Sequence, residues 1–220
     1  MKLLAIDTAT ERCSVALLID DRVIERATET PRGHADLVLP MVDDVLKEAG
    51  LTLQQLDGLA YGRGPGSFTG VRIAVGVAQG LAYGAHLATV GVSNLAAVAQ
   101  QFAVTGARIL VCMDARMNEV YWCRFEATPD GLVVPIPPER VDRPEAVEAG
   151  GATVFAGTGF GAYPQLAVGR AAVAVHGAVL PHAREIARLA AAELRAGRCE
   201  PPERAQPVYL RDQVATVKPP

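Results

Sequence analysis

The chain repeats one pattern twice, and this repeat is the strongest constraint on its fold. An apolar run at 3–6 (LLAI) leads into Asp7, a polar turn and a second apolar run at 15–19. The same order returns at 109–113 (ILVCM), which leads into Asp114, a polar turn and the run VYWCRF. Short apolar runs bounded by polar turns are typical of buried strands and hairpins. Each half of the chain is therefore predicted to begin with a strand that ends in an aspartate.

A third segment matches between the halves as well. DGLAYGRGPG at 57–66 and ATVFAGTGFG at 152–161 are each an apolar run that breaks into a glycine-rich loop. We infer an internal duplication of a strand, strand, strand and helix unit, although a chance likeness of two α/β segments remains an alternative. Two such lobes facing each other make a bilobal α/β fold, with the aspartate turns and glycine loops near the cleft.

The pattern also predicts the domains and helices. The first lobe is expected at 1–104, joined by the tail at 203–220, and the second lobe at 105–202. Five prolines predict an irregular loop at 129–144. Helical periodicity predicts helices at 34–49, 66–84, 93–103 and 181–196.

Composition excludes several classes of protein. Lys plus Arg is 21 and Asp plus Glu is 24, which gives a net charge of −3, and no segment concentrates basic residues. A protein that binds nucleic acid by itself is therefore disfavoured, since most of that affinity comes from neutralising phosphates. No stretch reaches the roughly 20 apolar residues that span a bilayer. The cysteines and histidines lack metal-site spacings, so we expect no metal site, reduced thiols and a cytoplasmic location.

The aspartate turns and glycine loops raise the question of a nucleotide. An acid at the end of the first strand, followed by threonines, resembles the phosphate and metal turn of sugar kinases, actin and Hsp70. Neither turn contains the glycines that close a backbone on phosphate, so ATP hydrolysis by this chain alone is disfavoured. The loop at 62–72 (GRGPGSFTGVR) could bind an anion through its amides, or could simply be a tight turn. The candidate relic nucleotide or anion site consists of Asp7, Thr8, Gly64, Gly66, Ser67, Asp114, Gly157 and Gly159.

Two helices carry features that point to a partner. On the helix at 34–49 the apolar residues cover an arc of roughly 200°, about twice what a surface helix needs for its own core. The surplus predicts a protein interface; the alternative is a helix enclosed within its own domain. The helix at 66–84 repeats small residues every four positions, which costs helix propensity and predicts close approach of another backbone. Its two ladders are Gly70, Ala74 and Ala78, and Gly76, Gly80 and Gly84.

Four segments together resemble one family. They are LLAIDTATERCSVAL (3–17), RGHADLVLPMVDDVL (32–46), YGRGPGSFTGVRIAVGVAQGLA (61–82) and PVYLRDQVA (207–215). In these segments the chain is similar to the TsaB family, also called YeaZ, of bacterial tRNA-modification subunits. The resemblance implies a bilobal actin-like and Hsp70-like (ASKHA) fold with two duplicated RNase H-like lobes, the second degenerate.

The resemblance also implies a role in forming N6-threonylcarbamoyladenosine next to the anticodon of tRNAs that read codons starting with A. The sister family TsaD carries the active site, with a metal held by His-x-x-x-His after the loop helix. Asn94 and Val98 stand at those two positions here, and neither suits a transition metal. The implied role is thus a non-catalytic subunit without a cofactor, which binds and stabilises a TsaD-like subunit and works with a TsaE-like ATPase. tRNA would be reached through that complex.

The family's dimer contact uses the first two helices, the same ones that the apolar arc and the small-residue ladders single out. We expect interface positions at Leu37, Val38, Met41, Val42, Val45, Gly70, Ala74 and Ala78. The same face could form a homodimer when the partner is absent. Two enzymatic alternatives stay open, an ATP hydrolase that uses Asp7 and Asp114, and a glycopeptidase-like hydrolase.

Overall fold

The computed structural model describes residues 1–170 and 172–211, apart from the side chain of residue 137. Its first five-stranded sheet has the order β3-β2-β1-β4-β5, in which β1 is antiparallel to β2 and parallel to β4. These strands are β1 (Lys2–Asp7), β2 (Arg12–Ile19), β3 (Arg22–Glu29), β4 (Gly58–Gly62) and β5 (Thr89–Val92). The helices of this half are α1 (His34–Ala49), α2 (Phe68–Ala85) and α3 (Asn94–Gln100).

The second sheet has the order β8-β7-β6-β9-β10, with β6 antiparallel to β7 and parallel to β9. Its strands are β6 (Arg108–Asp114), β7 (Val120–Ala127), β8 (Val133–Asp142), β9 (Val154–Ala156) and β10 (Ala174–His176). Strand order and directions repeat those of the first sheet, which confirms the predicted duplication. The second unit is degenerate in its helices rather than its strands, since α4 (Thr158–Ala162) stands where the first has the 18-residue α2.

Alternation of side chains along β1 and β2 builds two cores on the first sheet. Leu4 and Ile6 face one core, formed with α1 and α2, whereas Leu3 and Ala5 face the other. That second core is completed by the helix α5 (Ala183–Arg195). Both faces of the sheet are covered, which explains why β1 and β2 read as continuous apolar runs.

Two helices pack on the sheet of the other predicted lobe, while the lobe boundaries stay a prediction. The helix α5 lies in the predicted second lobe, yet it packs on β1 and β2, and its Ala183 amide donates to Ser14 Oγ at 3.0 Å. The helix α3 lies in the predicted first lobe, yet its Leu95 and Val98 belong to the core of the second sheet. Exchanged helices of this kind leave no trace in local periodicity.

The predicted loop at 129–144 is also wrong, because β8 runs through most of it. Prolines are compatible with this strand for two reasons. It is an edge strand that pairs with β7 alone, and its register shifts between Trp122 and Arg124. An edge strand with a bulge has positions where no backbone N–H is needed.

The described part of the tail packs on the half of the chain that contains α1 and α2. Ala205 belongs to the core with α1 and α2, and the Val208 amide donates to the Arg63 carbonyl at 2.7 Å. The remainder of the predicted tail, 212–220, lies outside the described residues. No helix within the described ranges is long and apolar enough to cross a membrane.

Candidate functional site: a filled cleft and an open helix face

Three strand ends meet at a buried polar cluster. Asp7 ends β1, Gly62 ends β4, and Asn94 begins α3 directly after β5. The Asn94 Nδ2 donates to Asp7 Oδ1 at 2.7 Å, while its Oδ1 accepts the Gly64 amide at 2.8 Å. A Cβ at Gly62 would overlap the Asp7 carboxylate, so only glycine fits there. Asn94 thus fills the space at the strand ends, where α/β folds usually bind ligands.

Burial controls the ionisation of Asp7. The side chain is fully buried, and its Oδ2 has no hydrogen-bond partner among the described residues. Desolvation raises the pKa of Asp7 to about 6, although hydrogen bonds from Asn94 and from the Ala9 amide oppose the shift. A carboxyl with a raised pKa holds its proton more readily in the folded state, so its ionisation destabilises the fold as the pH rises from about 4 to 6.

Asp7→Asn is therefore expected to flatten the pH dependence of stability between about pH 4 and 6. The shift to about 6 is worth on the order of 3 kcal/mol at neutral pH, which sets the upper limit of the gain. The amide keeps an acceptor for Asn94, so the fold is retained. Urea unfolding across this pH range checks the prediction, with the exposed Asp43→Asn as the matched control. An unchanged slope in Asp7→Asn would show that Asp7 is not the titrating group.

The glycine-rich loop packs directly on the turn after β1. Thr8 Oγ1 donates to the Gly70 carbonyl at 2.6 Å, and the Ser67 amide donates to the Ala9 carbonyl at 2.7 Å. A Cβ on Gly66 would lie 2.5 Å from the Ala9 oxygen, and one on Gly70 would overlap Thr8. Ser67 Oγ caps α2 by accepting the Gly70 amide. These contacts favour the interpretation of the loop at 62–72 as a tight turn over its interpretation as an anion-binding loop.

The second lobe repeats this arrangement. Asp114 ends β6, its amide donates to Thr158 Oγ1 at 3.0 Å, and its carboxylate pairs with Arg116 at 2.9 Å. Substituents on Gly157 and Gly159 would overlap the backbone of Cys112 on β6. Both glycine loops therefore serve close packing on the neighbouring strand.

The residues of the predicted nucleotide or anion site make contacts within the chain itself, and the site stays a prediction. Asp7 and Gly64 contact Asn94, Thr8 donates to the Gly70 carbonyl, and Gly66 and Ser67 contact Ala9. In the second lobe Asp114 pairs with Arg116, and Gly157 and Gly159 pack against Cys112 of β6. Ion pairs bridge the two lobes, from Arg63 to Glu139 at 3.3 Å and from Arg116 to Glu11 at 3.3 Å. No group of three or more potential metal ligands occurs in residues 1–170 and 172–211.

Most of the predicted interface residues lie in the chain's own core. Val38, Val42 and Val45 are at most 4% exposed, and Leu37 and Met41 pack against the same core. The small residues Gly70, Ala74 and Ala78 are also buried. These side chains are enclosed because α1 packs on β2 and β3 and also touches α2, and their place in a partner interface stays a prediction.

The other ladder of α2 is open. Gly76, Gly80 and Gly84 are exposed, and within residues 1–170 and 172–211 a Cβ added at any of them would meet nothing within 4 Å. Phe68 and Tyr83, at the two ends of α2, are 61% and 64% exposed. Nothing in the described chain explains three glycines whose total cost to the helix is about 2 to 3 kcal/mol relative to alanine. The spacing of four was visible in the sequence, but not which of the two ladders faces outward.

The chain is similar to known proteins in both sequence and structure. A family model described as "TsaD: tRNA N6-adenosine threonylcarbamoyltransferase" matches residues 26–218. The "tRNA threonylcarbamoyladenosine biosynthesis protein TsaB" of Escherichia coli K12 is 45% identical over 226 residues, covering 99% of this chain and 98% of the relative. A solved structure described as YeaZ from Pseudomonas aeruginosa has a TM-score of 0.87 and 42% identity, covering 95% of this chain and 99% of that one.

A second Pseudomonas aeruginosa structure, described as an uncharacterized protein with similarity to peptidase YeaZ, has a TM-score of 0.88 and 44% identity. It covers 96% of this chain and 99% of that chain. Two duplicated lobes with their strand ends around one cleft define a bilobal protein of the actin-like ASKHA class. Within that class the chain belongs to the TsaB (YeaZ) family, as its motifs predicted.

Proposed function

We propose that this chain is a non-catalytic subunit required for forming N6-threonylcarbamoyladenosine in tRNAs that read codons starting with A. The observation that carries the proposal is the similarity, over almost the whole length of both chains, to a protein named for threonylcarbamoyladenosine biosynthesis. A relationship that spans both lobes and the helices between them supports a shared role more strongly than one shared motif would.

The buried polar cluster supports a non-catalytic role. The resemblance to TsaD assigns its metal-binding histidines to positions 94 and 98. Asn94 is fully buried with its amide hydrogen-bonded to Asp7 and Gly64, and Val98 is fully buried in the core of the second sheet. A metal ligand needs a side-chain donor atom that is free to bind the metal; the Asn94 amide is already hydrogen-bonded, and valine has no such atom. No contact at the cleft favours the ATP hydrolase or the glycopeptidase.

The open face of α2 supports a binding role. We define the open face as the exposed residues Phe68, Arg72, Gly76, Gly80, Tyr83 and Gly84. Glycines that no part of the described chain approaches allow the backbone of another helix to come close. The proposed occupant is a TsaD-like catalytic subunit in a cytoplasmic complex, with a TsaE-like ATPase joining it and tRNA bound through it. Self-association through this face would compete with the partner.

Size-exclusion chromatography with light scattering tests this function. The protein is measured alone, with a TsaD-like subunit, and with both the TsaD-like subunit and a TsaE-like ATPase plus ATP. We expect a heterodimer that replaces any homodimer, and tRNA modification, read by mass spectrometry of nucleosides, only when this chain is present. Full modification without this chain, or no association with the TsaD-like subunit, would overturn the proposal.

A further inference from the structure

An exposed arginine on the open face is held between two aromatic rings. The Arg72 guanidinium carbon lies 3.3 Å from the centre of the Phe68 ring and 4.7 Å from that of the Tyr209 ring. The two rings stack with their centres 6.2 Å apart. Arg72 Nη1 also donates to the Phe68 carbonyl at 3.1 Å. Cation–π contacts to both rings restrict the direction of a side chain that is otherwise mobile.

The second ring comes from the tail, which is itself anchored. The Gln206 amide donates to the Tyr61 hydroxyl at 3.2 Å, and the Val208 amide donates to the Arg63 carbonyl at 2.7 Å. Arg211 donates to the Ala115 carbonyl in the second lobe at 3.1 Å. Tyr209 thus lies between anchors on both lobes, so its ring over Arg72 is part of a fixed segment.

Arg72 is also the one charged residue in the sequence of α2, Phe68–Ala85. Across residues 1–170 and 172–211, the ion pairs of the structure include none to Arg72. Three residues of the open face follow it at the helical spacing of four, namely Gly76, Gly80 and Gly84. A partner helix that packs on these glycines would therefore lie next to the positive charge of Arg72.

We propose that Arg72, clamped by Phe68 and Tyr209, is the charged anchor of the partner interface and binds a carboxylate side chain of the TsaD-like subunit. This inference rests on the proposed function. An arginine fork held in one direction is suited to bidentate binding of a carboxylate.

The surroundings favour a protein carboxylate over a phosphate. The exposed side of the neighbouring α1 carries Asp36 and Asp44, whose charges disfavour a polyanion such as tRNA. Asp43 and Glu48 on the same helix are paired with Lys47 and Arg26. At the start of α2, the Ser67 and Gly70 amides already bond to Ala9 and to the Ser67 hydroxyl, so they offer no cradle for a nucleotide phosphate. A single arginine without such help is too little for phosphate-backbone binding, which needs several cations.

The test measures the Kd for the purified TsaD-like subunit by calorimetry at 50 to 500 mM NaCl. We expect Arg72→Gln to weaken binding by on the order of 30-fold at low salt and to reduce its salt dependence. Arg72→Lys should restore only part of the affinity, since an ammonium cannot form the bidentate contact. Tyr209→Ala should weaken binding when Arg72 is present and have much less effect in the Arg72→Gln background. Arg195→Gln, an exposed arginine on α5, is the matched control for loss of one charge.

The possible results of this experiment distinguish failure of the Arg72 anchor from failure of the proposed function. If the wild type binds and Arg72→Gln binds within twofold of it, the anchor is wrong and the proposed function stands. If Arg72→Gln keeps partner affinity but weakens binding of a nucleotide or of tRNA to the complex, the carboxylate is the wrong ligand. No association of the wild type with the TsaD-like subunit would overturn the proposed function and the anchor together.

Discussion

Gly80→Arg is expected to abolish association with the TsaD-like subunit while the isolated protein stays folded. Gly80 lies at the middle of the open face, where an added Cβ meets no atom of the described residues within 4 Å. Arginine has a better helix propensity than glycine by about 0.5 to 1 kcal/mol, so the free monomer should gain slightly in stability. In a complex, however, the long charged side chain would occupy the space that the partner backbone needs. We expect a loss of more than about 100-fold in affinity, measured by calorimetry, and loss of tRNA modification in the reconstituted system.

Val173→Arg is the control for this variant. Val173 is 84% exposed and lies in the second lobe. Its substitution by arginine adds the same charge at an apolar surface position away from α2. It should bind the TsaD-like subunit as the wild type does. Thermal unfolding of both variants separates a lost interface from a lost fold. Normal binding by a folded Gly80→Arg would show that the glycines of the open face do not form the interface.

The duplicated fold was predictable because its signal is local. Each strand of the repeat is an apolar run, and each repeat places an aspartate and a glycine loop at the same positions, so the order of elements follows from the sequence. The exchange of α3 and α5 between lobes was not predictable, since helical periodicity shows that a helix has an apolar face but not which sheet it covers. The edge position of β8 was missed for a similar reason, because the prolines exclude a central strand but not an edge strand.

The candidate site was predictable in kind but not in detail. The apolar arc of α1 is wide because the helix contacts a sheet and another helix of its own domain, and Val38, Val42 and Val45 belong to the core that these elements share. A periodicity argument cannot distinguish this case from a helix shared with a partner. The glycines of α2 form two ladders with equal spacing, and only coordinates show which one is enclosed. The contact between Phe68 and Arg72 spans one helical turn, but Tyr209 is far from both in sequence, so no local pattern could show the complete clamp.

The two ladders of α2 should respond to the same substitution with opposite signs. Gly70 lies in the first turn of α2, where its carbonyl accepts the Thr8 hydroxyl and an added Cβ would overlap the Thr8 carbonyl. Backbone atoms cannot move aside as the end of a flexible side chain can. Gly70→Ala must therefore separate the start of α2 from the turn after β1, at a cost of at least about 2 to 3 kcal/mol. Urea unfolding with a fixed m-value measures this loss.

Gly76→Ala is the matched variant on the open face of the same helix. No atom of the described chain lies within 4 Å of the added methyl group, so the free energy of unfolding should rise by about 0.5 to 1 kcal/mol through helix propensity alone. Alanine at position 76 would stabilise the isolated chain, yet the chain has glycine there. The reason for this glycine is therefore sought outside the isolated chain. The proposed interface supplies one, because the same methyl group that stabilises the monomer should weaken association with the TsaD-like subunit. A Gly76→Ala protein that is more stable and binds equally well would remove that reason, and a destabilised Gly76→Ala would show that this side of α2 packs against its own chain after all.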